Sequence, residues 1–474
     1  MKRVLIVSPN WPPVTYPDMH RARTALPYLS ENGWVPLVLH TDPQEQGGAR
    51  DSRLADTVPP DTSVFQATSV ARGWTRWLGL THVGWRSLPS LYRLGSQIIQ
   101  REKPDLIFFS TTMFPVMILG PLWAKKHGVP YVLDFQDPWV PETKSSSPAF
   151  TDTSSPAVTG RGSKHAVDGR MDSPPETAGN DAGAAGGNDD WRNCLGLKAK
   201  LSRAIDCRLE PYALRNVSHI ISVSTAYVEM LSRRYPRLSA DCFTVLPFGA
   251  PELDFEYLQQ HSIEQSVFRT GDGRRHWVYA GRGGKDMALA LRALFLSLAR
   301  ARQKDAEWNN LRLHFIGTDY ASRGLLPGRV ALLAEACGVG DLVEEKKEQV
   351  GYFESLRCLL DADALLVPGS EDPGYTASKI YPYILARKPL LAVFHEQSSV
   401  CQVLRETGAG ELVSFRSGET AESVSERITR QWFEHWPKAA PEADWAAFSR
   451  YSARGMTRRM CEAFNRALAG RKTA

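Results

Sequence analysis

The sequence predicts an α/β protein with two domains, each built on a doubly wound parallel sheet. Its 474 residues exceed what one ordinary hydrophobic core accommodates. Short apolar runs alternate with longer amphipathic stretches, which is the pattern of buried parallel strands joined by helices. This alternation occurs in two blocks separated by a polar stretch, so each block is expected to form its own sheet.

The first block contains six predicted strands with helices between them. It opens with the apolar run RVLIVS, and the helix that follows is expected to end at Gly33, since glycine commonly terminates helices. The predicted strands are residues 3–8, 35–41, 104–111, 129–137, 218–224 and 243–249.

Residues 143–190 interrupt this first block. They are rich in Ser, Gly, Pro, Ala and Asp and contain almost no large apolar side chain. Such a segment cannot bury enough surface to offset its ordering entropy, so we expect a disordered insertion. A regulatory segment is the alternative interpretation.

The second block begins near His276 and contains five predicted strands. They lie in HWVYAGRGG, LRLHFIGT, DALLVPGS, PLLAVF and GELVSF. The polar stretch 252–275 is the expected linker, which gives domains at 1–255 and 268–450. We expect the final helical stretch, 451–474, to pack back on the first domain.

Composition excludes several classes of protein. A net charge of +5 is mild for this length and does not indicate nucleic-acid binding. The seven cysteines form no close CxxC pair, so we expect reduced thiols and no metal site. The first apolar run is too short for a signal peptide, and no run could span a membrane. A cytoplasmic protein is therefore expected.

Candidate site residues of the first domain follow its predicted strands. Open α/β sheets bind ligands beyond the carboxyl ends of their strands, so two such domains facing each other predict a cleft. After the first strand come Asp18 and His20, and after the fourth come Asp134 and Asp137. The alternatives are that Asp18 caps a helix, that His20 is a surface residue and that one of the paired carboxylates is structural.

Two turns of the second domain are candidates for binding an anion. In YAGRGGKD, Arg282 and Lys285 flank a glycine turn at Gly283 that leads into a helix. Its spacing matches neither a dinucleotide fingerprint nor a P-loop. Later, GSEDPGYTASKIYPY leads into a helix expected to start near Ala377, with Lys379 in its first turn. A lysine there is unfavourable to the helix dipole, but a bound diphosphate would compensate for it.

Pro382 lies within this later helix. The first four helical N–H groups have no partner inside the helix, so a proline near the fourth position removes little.

The chain resembles the retaining GT-B glycosyltransferases, the nucleotide-sugar-dependent family that includes sucrose synthases and bacterial polysaccharide transferases. The resemblance rests on the order of VLIVSPNWPP, KPDLIFFS, VPYVLDFQDPW, LEPYALRNVSHIISVSTAYVEML, VYAGRGGKD and ADALLVPGSEDPGYTASKIYPYILARKPLLAV. It implies a GT-B fold: two Rossmann-like domains facing across a cleft, the first binding the acceptor and the second the nucleotide-sugar donor.

The resemblance also implies roles for individual residues. Arg282 and Lys285 correspond to the basic pair at the donor diphosphate. The expected donor-binding set is Arg282, Gly283, Lys285, Glu371, Gly374, Tyr375, Thr376 and Lys379. Asp18, His20 and Asp137 are expected to position the acceptor as catalytic residues. The implied reaction needs no metal or cofactor beyond the nucleotide diphosphate sugar.

The sequence departs from the family pattern at several positions. The family commonly has two glutamates before a glycine-containing turn. Here the second glutamate position is Pro382, the glycine position is Arg387, and the first falls at Gly374 with Glu371 nearby. These departures leave two alternatives open, which are a nucleotide-sugar epimerase of the same fold and a nucleotide-sugar-binding protein with impaired catalysis.

The stretch 71–95 mixes Trp and Tyr with four arginines, a composition found in segments at membrane interfaces. Contact with the inner membrane face and a lipid-linked acceptor is one interpretation, beside a simple saccharide acceptor. The alternative is a partly buried pair of helices whose arginines extend to solvent.

Overall fold

The computed structural model describes residues 1–71, 82–140, 190–319, 328–375 and 377–470, with only the backbone described for 190–200. The chain separates into two compact units. One comprises residues 1–139 and 209–474 and contains both sheets. The other comprises residues 140–208 and contains most of one long helix, Asp190–Ala213.

The first sheet has seven parallel strands in the described chain, in the order β3-β2-β1-β4-β5-β6-β7. They are β1 (Lys2–Val7), β2 (Trp34–Thr41), β3 (Ser63–Ala67), β4 (Leu106–Ser110), β5 (Tyr131–Phe135), β6 (His219–Ser222) and β7 (Phe243–Val245). The helices of this part are α1 (His20–Leu29), α2 (Val83–Arg86), α3 (Leu88–Glu102), α4 (Leu119–His127), α5 (Asp190–Ala213), α6 (Thr225–Arg234) and α7 (Glu252–Gln260). The strand order reverses between β1 and β4, which makes this the switch point of the sheet.

The second sheet has six parallel strands among the described residues, in the order β10-β9-β8-β11-β12-β13. They are β8 (Arg275–Ala280), β9 (Leu311–Ile316), β10 (Val343–Lys346), β11 (Ala364–Pro368), β12 (Leu390–His395) and β13 (Glu411–Phe415). Its helices are α8 (Ala288–Lys304), α9 (Arg329–Ala336), α10 (Tyr352–Asp361), α11 (Ile380–Leu385), α12 (Ser399–Thr407) and α13 (Ala421–Gln431). Two further helices, α14 (Trp445–Phe448) and α15 (Ala453–Ala469), complete the chain.

The predicted pair of doubly wound parallel sheets is confirmed, with two strands that the sequence did not predict. Both are edge strands: β3 (SVFQA) is mostly exposed, and β10 (VEEK) carries three charged residues. Interior strands such as β4 are buried along their whole length and therefore have a continuous apolar run. An edge strand has no such run, because one side of it meets solvent.

Helix α15 follows the second sheet in sequence but covers elements of the first. Its Phe464 lies with its ring 5.4 Å from that of Trp34 and 5.0 Å from that of Phe108. Lys2 Nζ donates a hydrogen bond of 2.7 Å to Asn465 of the same helix. The expected linker, 252–275, contains helix α7.

Several sequence-based expectations fall on residues that are not described. The predicted disordered insertion lies outside the described residues except for Asp190, which begins α5. Of the stretch 71–95, residues 72–81 also lie outside them. In its described part Arg86 is buried and paired with Glu45, so this arginine is not available to a membrane surface. No helix in the described ranges is long and apolar enough to cross a bilayer.

Candidate functional site

Loops at the carboxyl ends of both sheets line a common cleft. Its larger cavity, of about 920 Å³, is bounded by residues that follow β1, β2, β4, β5, β6 and β7 on one wall and β8 to β11 on the other. A smaller cavity of about 200 Å³ adjoins it. The two cavities share Pro17, Phe248, Gln349, Ser378 and Lys379. The larger volume lies in the range of small-molecule sites.

Asp134, the first of the paired carboxylates, lies within β5 and is a structural residue. It is fully buried and pairs with Arg21 Nε at 2.7 Å. Arg21 also donates to the carbonyl oxygens of Leu246 and Pro247, after β7. Gln136 Nε2 donates to Asp134 at 2.7 Å and to the Asp18 carbonyl at 3.1 Å. This network fixes the start of the loop that carries Asp137.

Asp18 borders the larger cavity, but its carboxylate is committed to the protein. Asn10 Nδ2 donates to both oxygens at 2.8 and 3.0 Å, and the Thr112 amide donates at 3.1 Å. The hydroxyls of Thr111 and Thr112 each donate at 3.3 Å. Burial raises the pKa of Asp18, although these hydrogen bonds oppose the shift. The carboxylate therefore joins the loops after β1 and β4.

Asp137 opens into the larger cavity and is exposed there. The cleft walls displace part of its hydration, and the charge of Asp18 adds repulsion, so its pKa is raised to about 6 despite the opposing charge of Arg282. Its pKa thus lies closer to neutrality than that of an ordinary aspartate. A hydroxyl group that enters the cleft could donate to this carboxylate.

His20, which was expected to position the acceptor together with Asp18 and Asp137, does not line the larger cavity that those two residues border. It lines the smaller cavity, where its ring stacks on Tyr352 at 4.6 Å. Arg23 donates to His20 Nδ1, so the ring proton belongs on Nε2. Burial, together with the charge of Arg23, lowers the pKa of His20 to about 3. The imidazole is therefore neutral near pH 7 and is a poor base.

The surroundings of His20 join the two halves of the large unit. Arg23 forms a buried ion pair with Asp254 of α7 at 2.6 Å, and Tyr352 donates to the same carboxylate at 2.6 Å. Asp51 accepts a hydrogen bond of 3.0 Å from the Phe353 amide at the start of α10. His20 thus belongs to a structural junction as well as to the smaller cavity.

Arg282 and Lys379 supply the positive charge of the second wall. Arg282 donates to both oxygens of Asp286 at 2.7 and 2.6 Å, and its guanidinium lies 4.6 Å from the centre of the Tyr375 ring. The hydrogen bonds to Asp286 raise the pKa of Arg282 further. Lys379 lines both cavities and donates from Nζ to the Ala280 carbonyl at 2.9 Å.

Burial and the neighbouring charge of Arg282 lower the pKa of Lys379 from 10.5 to about 8. The surroundings of Lys379 therefore disfavour its charged form. An anion bound between Lys379 and Arg282 would relieve that opposition.

Lys285 and Gly283 do not share the position of Arg282. Lys285 is exposed and lines neither cavity, because a 3₁₀ turn, Lys285–Met287, precedes α8. The Gly283 amide donates to the Thr318 carbonyl at 2.8 Å, so it is not available to an anion. Of the basic pair that the resemblance implies, Arg282 lines the larger cavity and Lys285 does not, and Lys379 is the other described cation of this wall.

The loop after β11 brings Tyr375, as well as Lys379, to the cavity wall. Tyr375 lines the larger cavity beside Arg282. Glu371 is exposed and lines neither cavity, and its backbone amide donates to the backbone carbonyl of Asp286. Gly374 lies against Ala226 of α6, which leaves 3.2 Å between the Ala226 Cβ and an ideal Cβ on the glycine. Thr376 lies outside the described residues.

Helix α11 is shorter than the sequence predicted. It begins at Ile380, not near Ala377, so Lys379 is its N-cap residue and not part of its first turn. Pro382 is the third of only six helical residues and, as expected, removes no helical hydrogen bond. A helix this short contributes little dipole, so the side chains of Lys379 and Arg282 carry the positive charge here.

Arg387 occupies the position where the resemblance implies glycine. Its φ of 54° lies in the left-handed region that favours glycine. Its guanidinium lies 4.4 Å from the centre of the Trp445 ring. Arg387 therefore adopts the left-handed backbone conformation that a glycine at this position would allow.

Sequence reasoning missed several residues of the cleft. On the first wall these are Tyr16, Phe248 and Tyr227, and on the second they are Gln349 and Ser378. The larger cavity also has carboxylates at Asp319 and Glu348. Tyr16 follows a predicted strand and Phe248 lies at the end of another, and that position was the available signal. Among the described residues no group of three His, Cys, Asp or Glu side chains could hold a metal ion.

Comparisons by sequence find no relatives: no protein-family model matches the chain, and no curated protein matches it. Comparison by structure finds several similar proteins. HepE of Anabaena, solved with UDP-glucose, has a TM-score of 0.57 at 14% identity, covering 98% of this chain and 100% of its own. A glycosyltransferase of Rickettsia africae has a TM-score of 0.53 at 12% identity, covering 98% and 99%.

The N-terminal domain of trehalose-6-phosphate phosphatase from Candida albicans is also similar, with a TM-score of 0.55 at 12% identity over 98% of this chain and 97% of that domain. The chain has the GT-B fold. At these identities the likeness concerns the fold and not the chemistry.

Proposed function

We propose that this protein is a glycosyltransferase that moves a sugar from a nucleotide diphosphate sugar to an acceptor hydroxyl. The observation that carries the proposal is the position of Lys379 and Arg282 on one wall of the GT-B cleft, opposite Asp137. Two cations on the donor wall suit a diphosphate, and a carboxylate on the facing wall suits a hydroxyl group.

In the proposed reaction the bond between the anomeric carbon and the diphosphate oxygen breaks, and its electron pair stays on the diphosphate. The acceptor oxygen forms the new bond to the anomeric carbon, and its proton passes to the leaving phosphate oxygen. Lys379 and Arg282 stabilise the charge that develops on the diphosphate. Asp286 keeps Arg282 in place through two hydrogen bonds.

The finer features of the proposal follow from the sequence resemblance. They are retention of anomeric configuration, independence of metal ions, and a role in building cell-surface polysaccharide or glycolipid at the cytoplasmic side of the membrane. Proton NMR of the anomeric centre tests retention, and activity in excess EDTA tests metal independence.

The test of function is titration calorimetry against UDP-, GDP-, ADP- and TDP-sugars, followed by mass spectrometry of the products. We expect one nucleotide series to bind and Lys379→Ala to lose at least tenfold in both donor affinity and turnover. Lys285→Ala is the matched control, because this lysine is exposed and lines neither cavity. Equal losses in the two variants, or none in Lys379→Ala, would contradict the proposal.

Product analysis also separates the two alternatives raised by the sequence. An epimerase yields a new nucleotide sugar from the donor alone. A protein with impaired catalysis binds the donor and yields nothing.

A further inference from the structure

Tyr16 is an aromatic side chain displayed in the cleft by a rigid loop. It lines the larger cavity and keeps 36% of its surface exposed. Its segment is held by a β-bridge between Val14 and Arg50, while the amide and hydroxyl of Thr15 both donate to the Ala49 carbonyl at 3.1 Å. A ring fixed in this way loses little further freedom when a ligand packs on it.

Gly48 makes room for this ring, and Gly47 lies at ordinary contact distance from it. At Gly48, where φ is +94°, an ideal Cβ would lie 3.1 Å from Cζ and Oη of Tyr16. At Gly47 the corresponding distance to Oη is 3.8 Å. The ring therefore packs against the backbone of this loop, which only glycine permits at Gly48. The loop thus holds a partly exposed aromatic ring that is not part of the hydrophobic core.

The positive charges of the larger cavity lie on one wall. Arg282 and Lys379 both belong to the second wall, which also carries the carboxylates of Asp319 and Glu348. On the first wall, the charged residues among those described are Asp18 and Asp137, which are both acidic. Gln136 and Thr112 add hydrogen-bonding groups there. An anionic group on the first wall would face carboxylates, whereas a neutral polyhydroxyl group would find an aromatic face and hydrogen-bond acceptors.

We propose that Tyr16 and Asp137 form the acceptor subsite, and that the acceptor end which enters it is an uncharged sugar. The apolar face of the sugar ring packs on Tyr16, and one of its hydroxyl groups donates to Asp137. Phosphorylated or carboxylated sugars are disfavoured by Asp137 and Asp18. The inference rests on the proposed glycosyl transfer and names the acceptor class of that same cleft.

The first test compares matched acceptors with the wild-type protein and its preferred donor. The probes are methyl glycosides of glucose, galactose, mannose and N-acetylglucosamine, each beside its 6-phosphate or its uronic acid. We expect transfer to at least one glycoside with kcat/KM at least tenfold above that of its charged counterpart. Equal or greater use of the charged form would overturn the inference, as would hydrolysis of the donor without transfer to any glycoside.

The second test uses variants. Tyr16→Ala should raise the acceptor KM at least tenfold while the Kd of the nucleotide stays within twofold, and Tyr16→Phe should recover most of the acceptor affinity. Asp137→Asn should reduce the discrimination against charged acceptors. Trp445→Ala is the control, because Trp445 is similarly exposed (37%) but lines neither cavity. An unchanged KM in Tyr16→Ala would overturn the role of the ring.

These outcomes are distinguishable from failure of the proposed function. If no nucleotide sugar binds the wild-type protein, glycosyl transfer itself is refuted. If the donor binds and is consumed but acceptor choice ignores charge and Tyr16, only the acceptor inference falls.

Discussion

Donor binding should weaken as pH rises through the pKa of Lys379. Only the protonated amine pairs with a diphosphate, and a bound diphosphate favours that form, so binding raises the pKa. Burial and Arg282 hold the pKa of the free protein at about 8, below its ordinary value of 10.5. Affinity is therefore near its maximum at pH 7 and below, and it declines as pH rises through 8. A group with a pKa of about 8 keeps roughly nine tenths of its charge at pH 7 and one tenth at pH 9. Kd should thus rise about tenfold over that range.

The assay is titration calorimetry with a nucleotide sugar at half-unit steps between pH 6.5 and 9.5. A nucleotide sugar is preferred to the free diphosphate, because its phosphates are diesters that do not titrate in this range. Lys379→Arg should flatten the profile, since a guanidinium stays charged throughout. Lys285→Ala should keep the wild-type profile, as its side chain lines neither cavity.

A flat wild-type profile would refute the assignment of Lys379 to the diphosphate. A slope that persists in Lys379→Arg would assign the titration to another group. Desolvation raises the pKa of Asp137 to about 6 and that of Tyr227 to about 12, so neither group has its midpoint between pH 7 and 9, where the change in Kd is read.

Three further predictions concern the framework that holds the cleft. Asp254→Asn should lower the free energy of unfolding in urea by about 3–5 kcal/mol, because it leaves the Arg23 charge buried and unpaired. Gly95→Ala should cost about 1–3 kcal/mol in the same assay, since an ideal Cβ lies 2.3 Å from the Trp123 ring. Arg387→Val should be less stable than Arg387→Gly by about 1–2 kcal/mol, because a β-branched side chain opposes the left-handed backbone.

The sequence predicts the interior of both sheets well, because burial on both faces requires an unbroken apolar run. β4 and β11 are buried at every position, and both were predicted. The edge strands β3 and β10 carry no such run and depend on pairing with a neighbour already in place. Their existence follows from the assembled sheet and not from their own residues.

Site residues were predicted less completely, because a loop position does not fix where a side chain points. Arg282 and Lys285 are three residues apart, yet only Arg282 lines the cleft. The 3₁₀ turn at Lys285 decides this, and its sequence resembles an ordinary helix start. His20 was assigned to the acceptor side, but its ring stacks on Tyr352 from the other half of the chain, a contact that no local pattern reveals.

The departures from the family pattern differ in position: Pro382 lines the cleft, whereas Arg387 lines neither of its cavities. Arg387 keeps the backbone of the missing glycine, so that substitution leaves the turn unchanged. Pro382 occupies the position where the family commonly has its second glutamate, so that carboxylate is missing here. The proline lines the smaller cavity beside Lys379. The short α11 adds little dipole, so neutralising a diphosphate falls to two side chains. Arg282 already forms an ion pair with Asp286. Lys379 has a lowered pKa, so among the described cations of this wall its charged form would gain most from a bound anion. Removing Lys379 should therefore cost more donor affinity than removing any other single residue of the cleft.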